Sequence, residues 1–164
     1  MAAGQTTRLT ALGRAPLTIT TTPCRHGPPL SRPIAGAVIG FAISVDDRPG
    51  SAVWVTGDTV MTRALRRVAR DLDVDVLILH LGSVHFPMTG PLRYSMNSRE
   101  AVDLLALARP RVAVPVHYDG WSHFAEPVRH AQKVLAADPG SRSVIRWLRP
   151  GVPTDLGSSE PVTP

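Results

Sequence analysis

The hydrophobic period of this chain first turns helical near Val60, and that change restricts the folds open to it. Ahead of Val60, residues 17–22, 36–45 and 52–56 are alternating or continuous apolar runs, the pattern of strands. Between the first two, Pro23 to Pro33 holds four prolines and one glycine and reads as a loop. Asp46, Asp47, Arg48, Pro49 and Gly50 form a turn signal, so 36–45 and 52–56 are expected to pair as a hairpin. Beyond Val60, Met61, Leu65, Val68 and Leu72 recur at steps of four, three and four, which lines them up on one face of a helix. A short strand follows at 75–79, then a Gly-, Pro- and Ser-rich loop over 82–96. Asn97 or Ser98 can cap a second helix running to Ala108, which Pro110 stops. A strand at 111–116, a helix over 125–137 and a last strand near 143–148 complete the pattern. Strands that pair first and then alternate with helices predict an α/β domain, a mixed sheet with helices packed on one outer face.

The 164 residues amount to one domain, long enough to bury its own core. With 43% apolar and 19% charged residues, neither a disordered chain nor a fibre is expected. No apolar run approaches the roughly 20 residues that cross a bilayer. The first residues lead into no apolar stretch of the secretory kind, so the expected compartment is the cytoplasm. A single cysteine, Cys24, excludes an internal disulfide framework and a site built from several thiolates. The net charge of +5 keeps a nucleic-acid partner in view. Arg63, Arg66, Arg67 and Arg70 form a stripe opposite the apolar face of the first helix and could meet phosphates. Against this stand Asp71 and Asp73 at the helix end, the lack of interleaved aromatics, and a coding bias that leaves Lys133 the one lysine among 18 basic residues. A solvated outer face is the preferred reading.

Three side chains able to hold a metal each follow a strand: His26 after 17–22, Asp58 after 52–56 and His117 after 111–116. Strands entering one sheet in the same sense would bring all three to one edge, where such sheets gather ligands. Neutral imidazoles and a carboxylate suit zinc, iron or manganese, and the two oxygens of a carboxylate can bridge two ions. Taken singly, each residue also has a purely structural reading, and spacing alone leaves both open.

The local words around these residues are more specific. Thr22-Pro23-Cys24-Arg25-His26-Gly27-Pro28, Thr56-Gly57-Asp58-Thr59 and Val116-His117-Tyr118-Asp119-Gly120, in this order, resemble the later metal-binding motifs of metallo-β-lactamase fold hydrolases. The branch they resemble contains the L-ascorbate-6-phosphate lactonases and N-acyl-phosphatidylethanolamine phospholipase D; Leu79-His80-Leu81-Gly82 and Asn97-Ser98-Arg99-Glu100 fit the same branch. The resemblance covers residues 16–152. It implies the C-terminal half of an αββα metallo-β-lactamase sandwich over 16–150, preceded by a poorly ordered lead-in at 1–15 and followed by a flexible tail at 151–164. It further implies a metal-dependent hydrolase in which His26 binds a first metal, Asp58 bridges two, and His117 binds the second. Asp58 and His117 then carry the catalysis, and a metal-bound hydroxide attacks an ester, lactone, amide or phosphodiester. The implied cofactor is a divalent metal, zinc first, with manganese or iron as alternatives; the implied substrate is a small or lipid-like molecule.

One departure qualifies this. The family opens with His-x-His-x-Asp-His, and these 164 residues contain no such motif. Catalytic zinc takes three protein ligands and a water, so an incomplete site is expected, with weak metal binding and little hydrolysis from this polypeptide alone. Half a sandwich would also leave an apolar sheet face for self-association or for an N-terminal half to cover. The competing readings are an inactive, truncated binding module and, more weakly, a basic nucleic-acid-binding domain. Around the site, His80 ends a strand and is expected near the same edge, while His85 and His123 lie on loops at the mouth. Tyr118, Trp121 and Phe124 would either pack their loop or stack on substrate, with packing preferred; Cys24 is expected to be a buried, inert thiol.

Overall fold

The computed structural model describes residues 2–46 and 52–157. Its centre is a six-stranded sheet in chain order, β1 (Thr6–Leu9), β2 (Leu17–Pro23), β3 (Ile39–Val45), β4 (Ala52–Val55), β5 (Val74–His80) and β6 (Val112–Val116). Neighbours from β1 to β4 are antiparallel, whereas β4, β5 and β6 run parallel. The hairpin expectation is met by Phe41 opposite Val55, Ala42 opposite Trp54 and Ile43 opposite Val53; its turn at 47–51 lies outside the described residues. From these directions β2, β4, β5 and β6 all point the same way, so their C-terminal ends share one edge.

Helices pack on one face of the sheet. In α2 (Arg63–Asp71), Leu65 and Ala69 are buried, and Thr62 caps the first turn by accepting from the Leu65 N–H at 3.0 Å. Its exposed arginines are partly neutralised, since Arg66 pairs with Asp103 at 3.0 Å. Asn97 starts α3 (Ser98–Ala108) with a capping box, its side chain accepting from the Glu100 N–H while Glu100 accepts from the Asn97 N–H. Together with α4 (Val128–Ala137), these helices bury Trp54, Leu77, Leu79, Leu104 and Leu135 in one core. Trp54 is wholly enclosed, and its indole N–H donates to Thr22 Oγ1 at 3.1 Å.

The other face stays apolar. Leu17, Ile19, Phe41, Ile43, Val53, Val55 and Ile78 share it by register and are only half-buried. On the helix side of the same outer strands stand Thr18, Thr20, Thr22 and Ser44 instead. This alternation is the reverse of what water would favour on an open sheet face. No helix among the described residues is long and apolar enough to cross a membrane.

Several expectations are corrected. The stretch 1–15 was expected to be a poorly ordered lead-in, yet Thr6–Leu9 forms an edge strand, with Thr7 paired to Ile19 and Leu9 to Leu17. The proline-rich loop contains a single helical turn, α1 (Arg32–Ala35). In place of a strand near 143–148 stands α5 (Pro139–Val144), followed by one bridge from Ile145 to Ala113. Asp138 caps α5 by accepting from the Ser141 N–H at 2.8 Å, and Pro139 suits a first helical position, so local capping outweighs the apolar run. The expected loose tail is tied down as far as 157. Arg111 bonds Asp75 twice, at 2.8 and 2.9 Å, and also donates to the Leu156 carbonyl at 2.7 Å. Residues 158–164 lie outside the described residues.

The two faces should respond differently to truncation. Trp54→Ala is expected to cost about 3–5 kcal/mol in urea denaturation, and Phe41→Ser about 1 kcal/mol or less. A larger loss for Phe41→Ser would contradict the description of its face as open.

Candidate functional site

The shared strand edge assembles the predicted residues. His26 follows β2, Asp58 follows β4, His80 ends β5 and His117 follows β6. The Asp58 carboxylate sits between two imidazoles, with its Oδ2 3.3 Å from His26 Nδ1 and its Oδ1 3.8 Å from His117 Nδ1. Backbone carbonyls orient both rings: His26 Nδ1 lies 2.9 Å from the Tyr94 oxygen and His117 Nδ1 lies 3.3 Å from that of Leu81. Nδ1 of each ring thus faces both a backbone carbonyl and the Asp58 carboxylate. Asp58 Oδ1 is buried and has no hydrogen-bond partner. Such an orphaned charged oxygen is costly in a protein unless something else meets it.

Backbone strain marks the same place. His117 has φ +57°, a left-handed conformation that a non-glycine residue adopts at an energetic cost. Gly82, at φ +99°, lies so close that a Cβ there would stand 2.7 Å from the His117 carbonyl oxygen. Gly27 plays a similar part beside His26, where a Cβ would meet the Tyr94 ring at 2.6 Å.

His80 joins this cluster, with its ring centroid 5.8 Å from that of His117. Its Nδ1 lies 3.3 Å from Thr56 Oγ1, and that hydroxyl also accepts the His80 backbone N–H at 3.1 Å. Burial first, and then the neighbouring His117, hold the His80 pKa below its ordinary 6.5. His85 and His123 meet across the mouth, where the His85 N–H donates to the His123 carbonyl at 3.3 Å. Tyr118 does not join the mouth: it packs against the core and stacks edge-on with Trp147 at 5.1 Å. Trp121, in contrast, is 67% exposed. The packing preferred for this loop on sequence therefore holds for Tyr118 and fails for Trp121. Phe86 and Tyr94, on the loop between β5 and α3, complete the rim and were not singled out from sequence, because that loop has no hydrophobic period.

Cys24, expected to be a buried, inert thiol, is only half-buried. Its Sγ–H donates to the Thr56 carbonyl at 2.8 Å, and burial pushes its pKa up to about 12.

The donor types fit a divalent cation, and their placement is divided. Among the described residues, no three His, Cys, Asp or Glu side chains close around a single point. Instead the carboxylate stands between two positions, each with one imidazole.

Comparison with known proteins decides the family. A model described as the beta-lactamase superfamily domain matches residues 1–118. This chain belongs to that superfamily. The match starts ahead of residue 16 and so includes β1. A UPF0173 metal-dependent hydrolase of Pyrobaculum arsenaticum is 35% identical over 117 residues, covering 71% of this chain and 45% of that protein. The chain thus spans about half the length of the curated relatives it matches. Among solved structures, the metallo hydrolase Igni18 from Ignicoccus hospitalis superposes with a TM-score of 0.66 at 27% identity, over 93% of this chain and 57% of that one. A possible metal-dependent hydrolase from Veillonella parvula superposes at 0.73 with 21% identity, over 88% and 55%. These likenesses establish the metallo-β-lactamase fold for this member of the superfamily.

Two measurements follow from the ionisations. The unfolded chain takes up a proton on His80 near pH 6.5 while the folded chain resists it, so this residue's contribution is complete above 6.5 and is lost as pH falls towards the lower folded value. Urea denaturation over that range should show a shallower acid-side loss in His80→Gln than in the parent; equal slopes would contradict the assignment. Iodoacetamide at pH 8 should label Cys24 far more slowly in the folded chain than in urea, and equal rates would contradict a thiol held near 12.

Proposed function

We propose that this chain provides one wall of a two-cation hydrolytic centre, with His26 and His117 each holding one cation and Asp58 bridging them. The observation that carries the reading is the part-buried carboxylate flanked by two imidazoles, its buried Oδ1 lacking any hydrogen-bond partner. Family membership and the hydrolase names of the relatives support the same reaction class. A divalent cation in such a place supplies Lewis acidity towards a substrate oxygen and lowers the pKa of water to about 7. The chain's own residues perform the remaining work. The Tyr94 and Leu81 carbonyls orient the two rings beside the carboxylate. Asp58 supplies negative charge between the two positions. A neutral His80 keeps a second positive charge away from His117, and the rings of Phe124 and Tyr94 shield the imidazoles from bulk water.

The substrate bond in this reading is an ester, lactone, amide or phosphodiester, and zinc is the first candidate metal, ahead of manganese and iron. Further donors must come from outside these 164 residues, in the manner of the His-x-His-x-Asp-His motif that they lack. One observation favours a second reading, a non-catalytic binding module: no single point is enclosed by three donors among the described residues.

A zinc titration followed through the histidine ring signals in NMR separates the two. The hydrolytic reading predicts that His26 and His117 shift together while His130, exposed on α4, stays still. It also predicts that Asp58→Asn weakens the binding about tenfold or more. Zinc that leaves both rings unmoved, or that binds Asp58→Asn equally well, would contradict it and leave the binding module.

A further inference from the structure

The rings between the two imidazoles and solvent form a connected surface. One path runs from His26 to Tyr94 at 5.5 Å, Tyr94 to Phe86 at 5.1 Å and Phe86 to His123 at 5.5 Å. The other runs from His117 to Phe124 at 4.8 Å and Phe124 to His123 at 5.3 Å. Both meet at His123, on which Trp121 leans at 5.5 Å. At the outer end Trp121 is 67% exposed and Phe86 37% exposed, so two large aromatic surfaces face water, Phe86 two ring contacts from His26 and Trp121 three from His117. We propose that this mouth takes an uncharged substrate through an aryl group adjoining the bond to be cleaved, an inference that rests on the hydrolytic reading above.

Three features select that chemistry. The two paths start at the two imidazoles that flank Asp58, so a planar group seated over their junction holds the adjoining bond towards the carboxylate edge. Ring faces carry the negative end of the aromatic quadrupole, which welcomes another ring edge-on or offset and repels an anion. Of the neighbouring cations, Arg93 has its charge met by Glu100, at 2.8 and 3.0 Å. The loops that carry these rings are tied to each other and to the strand ends. The Tyr94 N–H donates to the Val84 carbonyl at 2.7 Å, and the Ala125 N–H to that of Gly82 at 3.1 Å. The aromatic surface is therefore built in advance of any ligand, which reduces the ordering cost of binding.

The test uses the cation-free chain and a probe that cannot be hydrolysed. Benzyl methyl ether is titrated while the three indole N–H signals are followed by NMR, that of Trp121 being assigned by its loss in Trp121→Phe. The Trp121 signal should shift and that of the enclosed Trp54 should not. Phe86→Ala should weaken the apparent affinity about threefold to tenfold, and Phe86→Leu, which keeps bulk without a ring, should do the same. An unchanged Trp54 signal in each variant reports an intact fold. Hexyl methyl ether and phenyl phosphate should both bind more weakly than benzyl methyl ether. An unmoved Trp121 signal, an unchanged affinity in both Phe86 variants, or equal or tighter binding of the alkyl ether or the phosphate would overturn the proposal. Since no cation is present, a failure here leaves the zinc response of His26 and His117 standing, and the converse also holds.

Discussion

The Asp58 carboxylate, held between His26 and His117, is the interaction on which the rest of this molecule turns. A carboxylate oxygen that is buried and unpartnered costs on the order of 1–3 kcal/mol or more, and the surrounding structure is arranged to retain it. β2, β4 and β6 all run in one sense, which is what brings residues separated by long stretches of chain to one edge. The left-handed backbone of His117 and the tight approach of Gly82 add further local constraint at the same place. A sheet designed only for stability would have no use for this combination. The core beneath it, centred on Trp54, Leu77 and Leu79, gives the edge its rigidity.

Much of this was legible in the sequence, and for identifiable reasons. The change of hydrophobic period at Val60 gave the order of strands and helices, because burial on one face imposes its period directly on the residues. His26, Asp58, His80 and His117 could be placed because each closes an apolar run. The misses have equally physical causes. Thr6–Leu9 is a four-residue edge strand whose pairing is fixed by β2 rather than by its own composition. The helix at Pro139–Val144 is set by the Asp138 cap, a local hydrogen bond that prevails over the β-branched residues that follow. Phe86 and Tyr94 belong to a loop without period, so only the tertiary hydrogen bonds of that loop reveal that they reach the site. Tyr118 and Trp121 stand three residues apart in the same loop, yet one packs on Trp147 and the other faces water; composition treats them alike.

Leu17, Ile19, Phe41, Ile43, Val53 and Val55 lie on the side of the sheet away from the helices, and the same chain supplies only one imidazole on each side of Asp58. The chain spans about half the length of its curated relatives.

Anomalous scattering at the zinc edge, from crystals of the chain grown with zinc, measures the central claim most directly. The account predicts two peaks, one on each side of Asp58, at about 2 Å from a ring nitrogen of His26 and of His117 respectively. A single peak distant from this carboxylate, or none beside it, would contradict the account.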